Sequence, residues 1–130
     1  MSSIFNKIIS REIPAHIIAE NEYCLAFLDV SPLVKGHCLV IPKQEVDYIF
    51  DLESNLYFEV FAFSKLIAHA IQKAIPCKKV GIAVIGLEVP HAHIHLVPLN
   101  FVGDMNFANP KMKISDEELK EISLKIKEYL

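Results

Sequence analysis

The sequence predicts an α+β domain in which an antiparallel sheet carries helices on one face. The first observation is a long stretch whose apolar residues recur with the period of an α-helix: Leu56, Val60, Phe63, Ile67, Ile71 and Ile75. The second is a series of short apolar segments separated by hairpin-length links. The third is the strict alternation in "HAHIHLVPL", residues 91–99, which is typical of a β-strand. Strands grouped around a single long helix favour the α+β class.

The first half of the chain is expected to form a short helix and several strands. Residues 4–10 have the pattern of a helical turn. Segments with the length and apolar character of strands follow at 17–20, 23–29 and 37–42. Pro32 and Gly36 mark the turn that leads into the last of them.

The second half is expected to supply the long helix, two strands and a terminal helix. Ser54 is the predicted N-cap of the long helix, and Pro76 stops it because proline cannot continue a helix. Strands are predicted at 79–85 and 91–99. A Ser-x-x-Glu capping box that begins at Ser115 opens a helix with this inner face: Leu119, Ile122 and Ile126.

Length and composition predict one domain, residues 1–130. A chain of 130 residues can bury its own core, and 52% hydrophobic with 22% charged residues is typical of globular proteins. The net charge of −3, with no run of basic residues, argues against nucleic acid as a partner. No apolar run approaches the roughly 18 residues of a membrane-spanning helix, so no membrane partner is expected.

The cysteines predict a reducing compartment. There are three, an odd number without paired spacing, and each lies in or beside an apolar run: Cys24, Cys38 and Cys77. The N-terminus lacks the apolar core of a signal peptide. We therefore expect reduced, buried thiols in a cytoplasmic protein.

Three histidines share one face of the strand predicted at 91–99. Alternate side chains of a strand point the same way, so His91, His93 and His95 line a polar face. The residues between them line the opposite, buried face: Ala92, Ile94 and Leu96. Same-face neighbours lie about 6.7 Å apart. The three imidazoles therefore cannot all bind one zinc ion unless the strand bends.

A phosphoryl group suits this row of histidines better than a metal. A neutral imidazole is a good nucleophile toward phosphorus, and flanking imidazoles can bind the non-bridging oxygens. His93 is the predicted nucleophile because it alone has a neighbour on each side. Its second ring nitrogen is expected to donate a hydrogen bond to a backbone carbonyl. The alternative is a solvent-facing histidine cluster or an adventitious metal chelate.

Two stretches resemble the histidine triad family. Residues 91–97 are similar to its His-φ-His-φ-His-φ-φ signature, where φ is apolar, and "FLDVSPLVKGHCLVIPK" at 27–43 resembles its second diagnostic stretch. The likeness spans residues 1–99, looks closest to the Hint-like branch of nucleotide phosphoramidases, and leaves 100–130 as a C-terminal extension. It implies a five-stranded antiparallel sheet, a homodimer and a purine-nucleotide pocket. We expect no cofactor.

The resemblance also implies a reaction and roles for the site residues. The expected reaction cleaves a phosphoramidate or phosphoanhydride bond at the α-phosphate of a purine nucleotide conjugate, through a covalent nucleotidyl-histidine on His93. His95 and His37 would contact the phosphate. His91 would orient the strand, and Asp29 would accept hydrogen bonds from the ribose hydroxyls. Four apolar residues would line the base pocket: Phe5, Ile8, Phe27 and Val30.

One departure from the family concerns zinc. Many relatives bind a structural zinc ion through a Cys-x-x-Cys near the N-terminus, a later histidine and the first histidine of the triad. The three positions other than His91 are Ser3, Asn6 and Glu45 in this chain. We therefore expect no metal site there.

Other departures surround the leaving group. Leu87 and Glu88 stand where the family has Gln and often Ser or Thr, Val80 replaces an Asn, and Leu99 replaces a frequent Arg. Glu88 could protonate an amine leaving group or could be an exposed loop carboxylate. These changes keep a second function open, a nucleotide-binding regulatory module with little or no turnover.

Overall fold

The computed structural model describes residues 3–130; Met1 and Ser2 lie outside the described residues. The helices are α1 (Ile4–Ile9), α2 (Ser54–Ala74) and α3 (Asp116–Lys127). The strands are β1 (Ile17–Glu20), β2 (Cys24–Leu28), β3 (Cys38–Pro42), β4 (Lys79–Ala83) and β5 (Ile94–Leu99). Short 3₁₀ helices lie at Ile49–Asp51 and Val102–Met105.

The strands form one sheet in the order β1-β2-β3-β5-β4, and every neighbouring pair is antiparallel. Gly36, at a φ of +93°, supplies the left-handed backbone that the turn between β2 and β3 needs. β4 is an edge strand, since it pairs with β5 alone. The predicted α+β class with a five-stranded antiparallel sheet is confirmed.

The two faces of the sheet are covered by different helices. α2 and α3 pack on one face, where Ala92, Ile94 and Leu96 join their buried residues in the larger core cluster. α1 packs on the opposite face rather than beside them. Its Phe5 and Ile8 form a second cluster with residues of β2 and β3: Leu25, Phe27, Leu39 and Ile41. This arrangement is possible because every residue of β2 and β3 is buried, so both faces of these strands need a cover.

Several predicted boundaries differ from the observed ones. β5 begins at Ile94, so His91 and His93 precede the strand. The Ala92 N–H donates 2.7 Å to the carbonyl of Val46 beyond β3, while the alternation of side chains predicted for this stretch persists. Similarly, β4 ends at Ala83. Ser54 is the first residue of α2 and not its N-cap, because Glu53 occupies that position without a side-chain hydrogen bond.

Residues 100–113, here called the tail, cross the histidine face of the sheet. Asp104 accepts the backbone N–H groups of Asn100 and Phe101, each across 2.9 Å. The tail passes close to the sheet at Gly81, where a Cβ would meet the Cε of Met105 at 2.5 Å. After the tail, Ser115 caps α3 as predicted and accepts the N–H of Glu118. The inner face of α3 is buried.

Cysteine burial agrees only in part with the prediction. Cys24 and Cys38 are buried and free, whereas Cys77, also free, is half-buried. Cys77 lies just after α2, at the rim of the core, which leaves it partly open to solvent. Burial raises the pKa of Cys24 to about 11 and raises the pKa of Cys77.

Candidate active site

A cavity of about 260 Å³ opens on the histidine face of the sheet. Its lining combines groups from four parts of the chain: Asp29, His37, the loop residues 85–89, His93, His95, Phe107 and Lys111. A larger groove of about 700 Å³, beside Tyr23 and Lys43, contains no histidine. The smaller cavity is the candidate active site because it brings together three imidazoles and two carboxyl groups.

The histidines are buried, so the alternative of a solvent-facing histidine cluster is wrong. His91, His93 and His95 are 0%, 7% and 9% exposed. The Phe5 ring of α1 stands edge-on to His93, with the ring centroids 5.0 Å apart. Phe107 of the tail stands edge-on to His95 at 4.7 Å. These two rings, from opposite ends of the chain, hold the imidazoles in place and keep them from bulk water.

The hydrogen bonds of His93 fix its tautomer. Nδ1 lies 2.8 Å from the carbonyl oxygen of His91. A carbonyl oxygen can only accept, so Nδ1 carries the proton and donates it. The Nε2 lone pair is then free, as a nucleophile requires. This confirms the predicted hydrogen bond to a backbone carbonyl.

His37 and His95 have fixed tautomers as well. The backbone N–H of Leu33 donates to Nδ1 of His37 across 3.1 Å, so the proton of the neutral His37 ring is on Nε2. Nε2 donates in turn to Nδ1 of His95 across 3.0 Å. The His95 proton is therefore on its own Nε2, which gives the site a hydrogen-bond donor of known position.

The environment keeps His37 and His95 neutral at pH 7. Burial, together with the charge of a neighbouring imidazole, lowers the pKa of His37 to about 3 and that of His95 to about 4. Burial also lowers the pKa of His91. The same cause raises the pKa of Asp29, although the Ser31 N–H that its carboxylate accepts opposes the shift.

Asp29 starts a turn and also lines the cavity. Its Oδ1 accepts the Ser31 N–H across 2.9 Å, which starts the turn after β2. Its Oδ2 lies 3.7 Å from Nε2 of His37, at the edge of the cavity. The carboxylate therefore has acceptor capacity on the cavity side that its turn does not use.

One group of side chains in the cavity has ligand atoms close enough together to be considered as a metal site. Asp29, His37 and His95 each place a ligand atom within 4.8 Å of the others. A metal on Nε2 of His37 would require that nitrogen to lose its proton. The Leu33 N–H opposes this because it favours the tautomer with the proton on Nε2. The three side chains are therefore arranged for hydrogen bonding.

Comparison with known proteins agrees with this geometry. Residues 10–102 match the family described as HIT domain. The chain belongs to the HIT family. Its relatives include the fission yeast Schizosaccharomyces pombe protein named adenosine 5'-monophosphoramidase hnt1, which is 35% identical over 98% of this chain and 100% of that protein.

Solved HIT structures share the whole architecture. A Bartonella henselae HIT-like protein described as involved in cell-cycle regulation is 29% identical, with a TM-score of 0.86 over 99% of this chain and 96% of the other. A zinc-bound histidine triad protein of Mycobacterium smegmatis is 27% identical, with a TM-score of 0.84 over 99% of this chain and 93% of the other. The likeness therefore includes the tail and α3.

The positions that the resemblance links to zinc do meet in this HIT protein, but as a hydrogen-bonded cluster. The Ser3 hydroxyl donates to Nδ1 of His91 across 2.8 Å and accepts the Asn6 N–H across 3.0 Å. Glu45 accepts the N–H of Ser3, and Nε2 of His91 donates to the Pro42 carbonyl across 2.8 Å. Both ring nitrogens of His91 are engaged, so these residues do not fit a zinc ion.

The predicted base-pocket residues lie beside the site but do not line the cavity. Phe5, Ile8 and Phe27 are buried together behind His93, whereas Val30 is 58% exposed at the turn after β2. Their contact with a base stays a prediction. On the opposite side, Glu88 lines the cavity, as does Leu87, which is 88% exposed.

Sequence reasoning missed Phe107 and Lys111, which both line the cavity. They lie beyond the residues 10–102 that match the family, in a stretch without helical or strand periodicity. The only signal in the sequence is an aromatic and a cation four residues apart in an irregular segment. That spacing carries no information without the fold.

Proposed function

We propose that this HIT protein is a nucleotide hydrolase or transferase that cleaves a phosphoramidate or phosphoanhydride bond at the α-phosphate of a purine nucleotide conjugate. The observation that carries the proposal is the free Nε2 lone pair of His93, in a cavity that also holds His37, His95 and Asp29. A nucleophile with a fixed tautomer, beside hydrogen-bond donors for a phosphoryl group, is what this reaction needs.

The first step forms a covalent intermediate. Nε2 of His93 supplies an electron pair to the α-phosphorus, the bond to the departing nitrogen or oxygen breaks, and that atom keeps the bonding pair and takes up a proton from solvent. The His93 imidazolium that results still donates from Nδ1 to the His91 carbonyl. Nε2–H of His95 donates to a non-bridging oxygen. Water then attacks the phosphorus and gives up a proton to solvent, the Nε2–P bond breaks with its electron pair returning to Nε2, and the nucleoside monophosphate leaves neutral His93 behind.

We assign the nucleoside half of the substrate to the side of the cavity that Asp29 lines. The free acceptor capacity of the Asp29 carboxylate suits two ribose hydroxyls. We assign the base to the apolar group formed by Phe5, Ile8, Phe27 and Val30 on the resemblance to the family. The fission yeast relative is named for an adenosine 5'-monophosphoramidase, which supports adenosine 5'-phosphoramidate as the first substrate to test.

The leaving-group side is where this chain departs from its family. Glu88 lines the cavity and is the proposed leaving-group contact, while the exposed apolar side chain of Leu87 offers no hydrogen bond. Leu87 is the observation that favours the second candidate, a nucleotide-binding module with little turnover. The two candidates differ in turnover and agree in binding.

A substrate panel tests the proposal. The purified protein is incubated with adenosine phosphoramidates and dinucleoside polyphosphates, AMP release is measured, and the quenched reaction is analysed by intact-mass spectrometry. We expect catalytic AMP release and a protein species heavier by one nucleotidyl group. Tight AMP binding without release from any conjugate would establish the binding module instead.

We also propose that the protein is a cytoplasmic homodimer of a single domain, residues 1–130. Three apolar side chains are exposed at one edge of the sheet: Ile82 of the edge strand β4, and Val84 and Leu87 of the loop that follows it. Beside them a cavity of about 390 Å³ is lined by apolar and aromatic residues: Tyr48, Ile49, Phe50, Phe61 and Ile85 among others. An open edge next to an apolar patch suits a second copy of the same surface.

Among residues 3–130, the structure contains no helix with the length and hydrophobicity needed to cross a bilayer.

A further inference from the structure

The candidate site contains few positive charges for a ligand that carries negative ones. His37 and His95 are neutral at pH 7 because they are buried together. Asp29 and Glu88 add two carboxyl groups to the cavity wall. The phosphate group of a nucleoside monophosphate itself carries close to two negative charges at pH 7. Neutral imidazoles can donate hydrogen bonds to it but cannot balance its charge.

Lys111 is the only lysine or arginine among the described residues that line this cavity. Nearby cations on other elements are engaged in ion pairs outside it: Lys35 with Glu118, and Lys43 with Glu20. Lys111 is close enough to add to the lowering of the pKa of His37 and His95 that burial causes, and to offset part of the rise in the pKa of Asp29. Its charge is therefore felt by the groups that would surround a phosphate.

The Lys111 ammonium is held in place by the tail itself. Nζ donates to the Phe107 carbonyl across 2.6 Å and to the Asn109 carbonyl across 3.3 Å. It also lies 5.9 Å from the centroid of the Phe107 ring, within the range of a cation–π contact. An ammonium has three N–H donors, so one is left for a ligand.

The same tail residues connect Lys111 to the histidines. The Phe107 ring packs edge-on against His95 at 4.7 Å and against His37 at 6.2 Å. The backbone N–H of Met112 donates to the Pro32 carbonyl across 2.9 Å, which anchors the tail to the turn after Asp29. The ammonium is thus fixed relative to both the phosphate side and the ribose side of the cavity.

We propose that Lys111 binds the phosphate of the nucleotide through its ammonium group and balances part of the phosphate charge. The inference rests on the proposed function only in taking a nucleotide phosphate as the ligand. Phe107 is the positioning residue that holds Lys111 at the cavity. The tail is then part of the binding site and not an appendage beside it.

The experiment compares AMP with adenosine, two ligands that differ only in the phosphate. Each is titrated calorimetrically into the wild-type protein and into the Lys111→Gln, Lys111→Arg and Lys113→Gln variants. Lys113 is an exposed lysine of the same tail that does not line the cavity, so its variant controls for the net charge of the tail. Circular dichroism and thermal melting verify that all four proteins are folded.

We expect Lys111→Gln to weaken AMP binding about 10- to 100-fold, the range typical of a hydrogen bond to a charged group. Adenosine binding should change less than about twofold, because the lost contact is to the phosphate alone. Lys111→Arg should retain most of the AMP affinity, and Lys113→Gln should retain all of it. The salt dependence of AMP binding should be weaker in Lys111→Gln than in the wild type.

Two results would overturn the inference and leave the proposed function intact: equal AMP affinity of wild type and Lys111→Gln, or an equal loss of AMP and adenosine affinity. The second would mean that Lys111 only supports the tail. If the wild-type protein bound neither ligand, both the proposed function and this inference would be wrong.

Discussion

Nε2 of His37 donates a hydrogen bond to Nδ1 of His95 across 3.0 Å, and Nδ1 of His37 accepts the Leu33 N–H. One backbone N–H thus determines the proton positions of two imidazoles in succession. His37 therefore acts through His95 as well as through any contact of its own with a phosphate.

Replacing His37 tests this dependence. His37→Ala removes the donor to Nδ1 of His95, so the His95 proton is no longer confined to Nε2. We expect kcat to fall at least about tenfold and stability to fall by about 1–3 kcal/mol, because the Leu33 N–H is left buried without an acceptor. Nitrogen-15 NMR of the imidazoles should show a mixed tautomer for His95. An unchanged His95 tautomer would contradict the relay.

Replacing His93 tests the nucleophile. His93→Ala should lower turnover by at least about 10³-fold, because the covalent step has no substitute for Nε2. AMP binding should survive, and no nucleotidyl adduct should form. His69→Ala, at an exposed position of α2, is the matched control and should behave as wild type. Full activity of His93→Ala would end the covalent mechanism.

The stability of the protein should fall in mild acid. Histidines of the unfolded chain take up protons near the ordinary imidazole pKa of 6.5, whereas folded His37 and His95 do so near 3 and 4. Below pH 6.5 the unfolded state binds more protons, so lowering the pH favours unfolding. Each of these histidines contributes a slope of up to about 1.4 kcal/mol per pH unit. Above about pH 7.5 their contribution is constant.

Urea unfolding at pH 7.5, 6.0 and 5.0 measures this effect. His37→Asn should give a smaller loss of stability between pH 7.5 and 5.0 than the wild type, because one of the buried imidazoles is missing. Wild-type stability that stays level down to pH 5.0 would show that the buried histidines are not neutral.

The sequence predicted the sheet better than it predicted what covers it. Alternation placed Ala92 and His93 on opposite faces, and this follows from strand geometry alone. The burial of the histidines could not be predicted from the strand pattern, because the covering rings of Phe5 and Phe107 come from segments that are far apart in the sequence. The fixed tautomers depend on such contacts too, since no local pattern specifies which carbonyl or N–H a ring nitrogen meets.

The prediction that all helices cover one face of the sheet was wrong for α1, for a related reason. The local sequence of α1 does not indicate which face of the sheet the helix covers. The packing of Phe5 and Ile8 against β2 and β3 determines that face. Lys111 was missed because a ligand-binding lysine in an irregular segment has no periodicity. Fold class and family can thus be inferred from patterns, while the charge balance of the site requires the tertiary structure.

The proposed dimer can be tested at the edge strand. Ile82→Lys places a charge on the exposed side of β4, and it should convert the protein from dimer to monomer at micromolar concentration. Leu124→Lys makes the same change at an exposed position of α3 and should leave the dimer intact. Light scattering measures both. A wild-type mass near 14.7 kDa would show a monomer.

Folding should not depend on zinc. The His91 ring is already held by Ser3 and Pro42, so a chelator has no ligand set to disrupt. We expect elemental analysis to find less than stoichiometric zinc and EDTA to leave the melting temperature unchanged. Ser3→Ala should instead cost about 1 kcal/mol or more, since it removes the cap of α1 together with the contact to His91. Stoichiometric zinc that is needed for folding would refute this.

The site is built from two parts of the chain that can change independently: the strands with their histidines, and the tail with Lys111. The hydrogen bonds that orient His37 and His93 come from backbone groups near the strands. Lys111 instead comes from a segment that touches the sheet through Gly81, the aromatic ring of Phe107 and the hydrogen bond from Met112 to Pro32. A relative could exchange this segment and acquire new ligand preferences without altering the residues that perform the chemistry. Grafting residues 100–113 between family members would transplant selectivity as a unit, with Gly81 as the position that decides whether a foreign segment fits.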